Sequence, residues 1–217
     1  MRTRAVIICG GRTDADFAAE CIRQSLPCTL IAADSGLETF HIAKIMPDVI
    51  IGDFDSVEQS ILNEYTNEER VKQIRLNQEK DETDTESAVE LAISYGCEDI
   101  ILLGATGTRI DHLLGNIHLL GIGLDRDVSL CMMDQNNRVR LINRPITLKR
   151  AEQYGTFVSL IPFHGDVTGV TLKGMKYPLY QAELNYYRSL GISNEIVEEE
   201  AEISFEHGTL LVIESKD

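Results

Sequence analysis

Basic residues are scarce in this chain. Twenty Lys and Arg stand against 35 Asp and Glu, a formal net charge of −15 over 217 residues. No basic stripe is available to neutralise a phosphate backbone, which argues against a nucleic-acid binder. Paired cysteines are missing too. The five present (Cys9, Cys21, Cys28, Cys97 and Cys131) are odd in number and show no CxxC spacing. Most lie in apolar runs, where cysteine behaves as a small hydrophobe. This favours a reducing cytoplasm over a disulfide framework or a zinc site. Long apolar runs are absent as well: Ala5–Cys9 stops at Gly10-Gly11, too short for a membrane span or the apolar centre of a secretion signal. The expectation is a soluble cytoplasmic protein that engages no membrane. No internal repeat or low-complexity tract stands out.

The chain does have apolar substance, 43% of its residues, enough for one large domain or for a medium and a small one. β-rich apolar runs at Ala5–Cys9, Thr29–Ala33, Val49–Ile51, Val71–Leu76, Ile100–Leu103 and Val128–Met133 alternate with helical periodicity. That periodicity is clearest in Ile110, Leu113, Leu114, Ile117 and Leu120. Such alternation implies a parallel sheet with helices on its faces. After Asp134 the pattern changes to short strands broken by turn residues, at Phe157–Ile161, Val167–Leu172, Ile203–Phe205 and Thr209–Ile213. Ala182–Leu190 has the length for a brief helix. The predicted fold class is α/β + β: a Rossmann-like parallel-sheet domain over residues 1–143, then a small C-terminal β-sandwich over 144–217.

Aspartates crowd three handovers from strand to helix: Gly52-Asp53-Phe54-Asp55-Ser56, Asp81-Glu82-Thr83-Asp84 and Arg109-Ile110-Asp111-His112. In open α/β sheets, ligands sit beyond the carboxyl ends of the strands. Here Gly10-Gly11 follows the first strand, Asp34-Ser35-Gly36 the second, Asp53-Phe54-Asp55 the third and Gly104-Ala105-Thr106-Gly107 the fifth. Hard oxygen ligands gathered at one sheet edge suit Mg²⁺ carrying a polyphosphate. Asp53 and Asp55, one residue apart on an extended segment, would project to the same side and repel unless a cation lies between them.

Capping supplies competing explanations. Ser56-x-x-Gln59 and Thr83-x-x-Glu86 both match a capping box, and Thr108 is placed to cap a helix that carries Asp111 in its first turn. Lys80, Arg109 and Arg12 are the cations best placed to offset phosphate charge. The glycine-rich stretch 104–107 would let backbone N–H groups approach a phosphate, although it matches neither the P-loop nor GxGxxG. His112 and Asn116 fall one turn apart on one helix face and could both reach a ligand at the helix mouth.

Taken in order, Asp34-Ser35-Gly36, Pro47 to Ser56 with its Gly-Asp-Phe-Asp-Ser element, Lys80-Asp81-x-Thr83-Asp84 and Gly104-x-x-Gly107-x-Arg109-x-Asp111-His112 resemble the thiamine pyrophosphokinase family. Weaker matches at Gly174 to Leu179, Ser193-Asn194-Glu195 and Gly208 to Leu211 extend the likeness over essentially the whole chain. The resemblance implies a homodimer whose active site lies between the α/β domain of one subunit and the β domain of the other. The implied reaction is Mg²⁺-dependent transfer of pyrophosphate from ATP to the hydroxyethyl oxygen of thiamine, with release of AMP. On that reading Asp34, Asp53, Asp55, Asp81, Asp84, Arg109 and Asp111 form the reaction centre, with Asp53, Asp55, Asp84 and Asp111 as metal ligands. Gly10, Gly11, Ser35, Gly36, Lys80, Thr106, Gly107 and His112 would bind the nucleotide. Asn116, Ser193 and Asn194 would bind thiamine, the last two from across the dimer. Asp81 and Asp111 are alternative acceptors of the alcohol proton. Related chains can carry an aromatic residue soon after Ser-Asn, where this one continues Glu195-Ile196-Val197.

Two other classes account for less. Asp-x-Asp-Ser-Val after a strand also resembles the haloacid-dehalogenase-type phosphatases, whose first aspartate becomes phosphorylated. That family places the motif near the start of its domain, whereas two strands precede it here. A non-catalytic nucleotide or thiamine sensor would need fewer aspartates.

Overall fold

The computed structural model describes residues 3–77, 79 and 81–217. The chain divides into two compact units, Met1–Gln135 and Asn136–Asp217, so the division falls ahead of the 143/144 boundary expected from sequence.

In the first unit, strands β1 (Arg4–Ile8), β2 (Thr29–Ala33), β3 (Val49–Gly52), β4 (Lys72–Arg75), β5 (Asp99–Leu103) and β6 (Ser129–Met133) alternate with helices α1 (Ala15–Ser25), α2 (Gly36–Ala43), α3 (Gln59–Thr66), α4 (Asp84–Ser94) and α5 (Ile110–Asp125). The strands pair in parallel in the order β4-β3-β2-β1-β5-β6. Residues Ala5 to Ile8 of β1 are fully buried, because a central parallel strand is covered on both faces. Val6, Ile8, Leu30, Ala32 and Ile50 pack with Ala18 and Ile22 of α1, Leu37 and Phe40 of α2, and Leu62 and Tyr65 of α3. Their alternates Ile7 and Ile31 point the other way and are equally buried; α4 packs against β1, β2 and β3. At the edge, β4 exposes Lys72, Gln73 and Arg75, charges and amides that discourage a further strand from pairing.

Helix starts follow local chemistry, with two departures from the sequence reading. Thr83 caps α4 as expected, accepting from the Glu86 N–H at 3.1 Å. Ser56 does not cap α3: the helix begins later, after Glu58, and the Ser56 hydroxyl donates to Asp55 Oδ1 at 2.9 Å instead. Thr108 does not cap α5 either, since Arg109 occupies the cap position. In α5 the apolar stripe is only partly used: Leu120 is buried, while Ile110 and Leu114 stay exposed.

The second unit is antiparallel, with β7 (Asn137–Ile142), β8 (Ile146–Lys149), β9 (Phe157–Lys173), β10 (Leu179–Leu184), β11 (Glu200–Ser204) and β12 (His207–Ser215). β12 lies between β7 and β9, and β11 between β9 and β8, while β10 also pairs with β9. The long β9 serves both halves of this network. Its residues Phe157 to Phe163 pair with β12, and those from Val167 onward pair mainly with β10 and β11, Thr168 alone still meeting His207 of β12. The change of partner follows His164 and Gly165, whose φ values of 66° and 140° break the regular pleat. Val158, Leu160, Val170, Leu172, Ala201, Ile203, Leu210 and Val212 form its core. No helix forms over 182–190; Ala182 to Leu184 complete β10, and the N–H of Tyr186 caps onto Asp166 at 2.7 Å. One charge is fully buried here. Glu214 accepts from Arg138 at 2.6 and 2.7 Å, from Arg140 at 2.7 Å and from the Tyr154 N–H at 3.1 Å.

Candidate active site

The strand order reverses between β1 and β5, whose chain neighbours lie on opposite sides of the sheet. The connections that leave their carboxyl ends run in opposite directions at such a switch point and leave a crevice beyond the strand ends. A cavity of about 500 Å³ occurs there, lined by Cys9 to Arg12 after β1, Asp34 and Ser35 after β2, and Asp53 and Ser56 after β3. Glu82 to Thr85 at the start of α4 and Gly104, Ala105, Gly107, Thr108, Arg109, His112 and Asn116 complete it.

Glycines let the two central loops touch. The Gly11 N–H donates to the Gly104 carbonyl at 3.0 Å, and a Cβ on Gly11 would lie 2.2 Å from that same oxygen. Gly104 itself has φ +67°, a conformation in which a side chain is strained. These glycines therefore serve backbone-to-backbone packing, a use not anticipated in the sequence reading. Asn116, buried on α5, donates to the Ala105 carbonyl at 2.8 Å and ties that helix to the same loop.

Asp34, Asp53 and Asp55 form a group in which one carboxylate oxygen from each lies within 4.8 Å of the others. An octahedral Mg²⁺ takes hard oxygen donors at about 2.1 Å, and three carboxylates gathered this closely are the donor type that ion takes. Asp34 Oδ1 is buried with no hydrogen-bond partner among the described residues. Burial pushes the Asp34 carboxyl above its ordinary range, and the nearby charges of Asp84 and Asp53 push the same way, against the weaker opposing pull of the Ser35 N–H and the nearby Ser56 hydroxyl. A divalent cation would relieve both the desolvation and the repulsion.

The route by which Asp53 and Asp55 converge differs from the extended segment expected. Phe54 between them is left-handed, with φ 64°, and its ring is buried in the core of the first unit. The Asp55 N–H donates to Asp53 Oδ1 at 3.1 Å, closing a turn. A bulky residue at positive φ costs on the order of 1–3 kcal/mol, offset here by ring burial.

Of the residues singled out from sequence, Gly10, Gly11, Asp34, Ser35, Asp53, Asp84, Gly107, Arg109, His112 and Asn116 line the cavity. Gly36, Asp55, Asp81, Thr106 and Asp111 are described but are not among the lining residues. Lys80 lies outside the described residues. Asp111 instead holds Arg109, accepting from its Nε at 3.2 Å and its Nη2 at 2.6 Å, and also accepts from the His112 N–H at 3.0 Å. The Arg109 hydrogen bond drives the Asp111 carboxyl down to about 2. Cys9, a lining residue the sequence did not mark, has its thiol pushed up to about 12 by burial, so it is protonated near neutrality and offers no thiolate.

Ser193 and Asn194 belong to the second unit. Both ends of the buried Asn194 amide are engaged: Nδ2 donates to the Tyr177 carbonyl at 2.9 Å, and Oδ1 accepts from the N–H groups of Tyr177 and Glu195. Ser193 is exposed, with φ 56°, its N–H bonded to Ser159 Oγ at 3.0 Å.

A carboxylate-rich cavity at the switch point of a parallel sheet is the layout of an α/β domain that takes a small ligand at its strand ends. Residues 25–132 match the model of the thiamin pyrophosphokinase catalytic domain, and residues 145–210 match that of the thiamin pyrophosphokinase vitamin B1 binding domain. The thiamine pyrophosphokinase of Bacillus subtilis is 32% identical over 188 residues, 86% of this chain and 87% of that one. Thiamine pyrophosphokinase 1 of Oryza sativa is 28% identical, covering 87% of this chain and 72% of its own. Crystal structures of thiamine pyrophosphokinases from Bacillus subtilis and Geobacillus thermodenitrificans superimpose with TM-scores of 0.88 and 0.85, each at 28% identity. They cover 99% of this chain and 100% and 98% of theirs. This chain belongs to the thiamin pyrophosphokinase family.

Proposed function

We propose that this chain transfers the pyrophosphoryl group of Mg²⁺-ATP to thiamine, giving thiamine diphosphate and AMP. The observation that carries the proposal is the convergence of Asp34, Asp53 and Asp55 on one point, two of them, Asp34 and Asp53, lining a cavity that Arg12 and Arg109 also line. In balance, the hydroxyethyl oxygen of thiamine bonds to the β-phosphorus and gives up its proton to a carboxylate or to water, the bond from that phosphorus to the oxygen bridging the α-phosphate breaks, and AMP leaves with the electron pair. Mg²⁺, when bound, supplies charge neutralisation at the phosphate oxygens.

The rest falls to side chains. Asp34, Asp53 and Asp55 hold the cation, with Asp84 beside Asp34. Arg12 and Arg109 meet phosphate oxygens, and the glycine loops present backbone N–H groups. Little covalent chemistry is asked of the protein; positioning and electrostatics do most of the work. Asp81, exposed and outside the lining, accepts the alcohol proton only if substrate reaches beyond the cavity. On the same reading the first unit is a Rossmann-like nucleotide domain, the second is a β-sandwich, and a homodimer brings Ser193 to thiamine. Asn194 then acts by shaping the Ser193 turn. The five cysteines, all free, suit the cytoplasm, and no described helix is long and apolar enough to cross a membrane.

The test is incubation with Mg²⁺, ATP and thiamine. Equimolar thiamine diphosphate and AMP support the proposal; ADP with thiamine monophosphate, or binding of both ligands without turnover, overturns it.

A further inference from the structure

We infer that Asp111 is a positioning residue that aims Arg109 into the cavity, and that it is not a ligand of the cation; this rests on the proposed function above. Arg109 lines the cavity and Asp111 does not, yet the two meet fork to fork through Nε and Nη2. Asp111 Oδ1 also takes the N–H of His112, so the carboxylate is fixed to the first turn of α5. That helix is held in turn to the glycine loop by Asn116. A rigid line of contacts therefore runs from the loop 104–107, through α5 and Asp111, to one guanidinium.

The donor count explains what this arrangement does. A guanidinium carries five N–H groups. Two are engaged by Asp111, which leaves three, including both on Nη1, for an anionic oxygen. Left alone, an arginine at a cavity rim samples many rotamers, and each phosphate contact would have to order it. The Asp111 fork orders it beforehand. Both side chains are about two-thirds exposed, where an ion pair contributes little to stability. The pair should therefore register in substrate handling and leave unfolding almost unchanged. Asp111 is also not a member of the group formed by Asp34, Asp53 and Asp55.

The experiment compares wild type, Asp111→Asn, Arg109→Gln and the double variant. It follows kcat and KM for ATP, the Mg²⁺ activation curve, ATP affinity by calorimetry in Mg²⁺, and the melting temperature. Asp111→Asn is expected to lower kcat/KM for ATP about tenfold, with the Mg²⁺ midpoint and melting temperature unmoved. The same change made in Arg109→Gln should have no further effect, because Asp111 acts through a guanidinium already gone. An Asp111→Asn enzyme indistinguishable from wild type overturns the inference. So does an undiminished loss in the Arg109→Gln background, or a shifted Mg²⁺ midpoint. If wild type makes no AMP, the proposed function fails; the calorimetric cycle on ATP binding then still decides whether Asp111 and Arg109 are coupled.

Discussion

The N–H of Asp34 donates to the carbonyl of Ile51 at 2.9 Å, so β2 and β3 end side by side with an aspartate leaving each. Gly52 makes the approach close: a Cβ there would lie 3.1 Å from Asp34 Cα, on a backbone with φ +156°. Gly52→Ala should therefore push the two strand ends apart. We expect a stability loss of about 1–3 kcal/mol and a larger proportional loss of turnover. Thermal unfolding and the AMP-release assay, run together, check both.

The carboxylate group itself makes a prediction of opposite sign. Asp34, Asp53 and Asp55 repel one another in the metal-free protein, so Asp53→Asn or Asp55→Asn should unfold no earlier than wild type without Mg²⁺. With Mg²⁺ at about 100 times its dissociation constant, wild type should gain roughly 2.7 kcal/mol, and the variants much less. Turnover by either variant should drop about a hundredfold or more. Equal stabilisation of wild type and variants by Mg²⁺ would exclude this group as the cation site.

Glu214 predicts the acid limit of the second unit. Burial pushes its carboxyl up, but hydrogen bonds from Arg138 and the Tyr154 N–H and the charges of Arg138 and Arg140 prevail, leaving it below its ordinary 4.5. A carboxyl lowered on folding contributes stability that is complete above the unfolded value and is lost as pH falls through the folded one. Stability should hold down to the region of 4.5 and decline below it. Glu214→Gln should remove that decline and cost about 3–5 kcal/mol at neutral pH, since two guanidiniums lose their anion. Urea titrations at pH 7 and pH 4 measure both effects.

Much of this architecture is legible in sequence because its signals are local. Each of the six N-terminal apolar runs matches a strand to within one residue at either end, and the α4 cap at Thr83 reads directly from its spacing. What is not legible depends on neighbours far away in the chain. Asp34 joins Asp53 and Asp55 because β2 pairs with β3, and strand order leaves no mark on a single sequence. Phe54 is left-handed because the core claims its ring, a tertiary demand that overrides the extended reading of Asp-Phe-Asp. Asp111 looks like a metal ligand beside other aspartates. Its engagement with Arg109 emerges only once α5 starts at Ile110 rather than one residue sooner. The brief helix conceivable at 182–190 is displaced because Leu184 is buried in the β core.

Thr83 and Asp84, adjacent in one motif, should separate in experiment. Thr83 accepts the Glu86 N–H, so Thr83→Ala should destabilise by about 1 kcal/mol, and Thr83→Ser should restore most of it. Asp84 contributes differently. Its place in the first turn of α4 favours the helix dipole by about 0.3–1 kcal/mol, while its charge opposes that of the half-buried Asp34. These terms nearly cancel, so Asp84→Asn should melt within a degree or two of wild type. Its turnover should nevertheless fall about a hundredfold, because Asp84 lines the cavity proposed to take the reacting phosphates. A catalytically normal Asp84→Asn enzyme would reduce this aspartate to a helix-start acid and confine the essential carboxylates to the ends of β2 and β3.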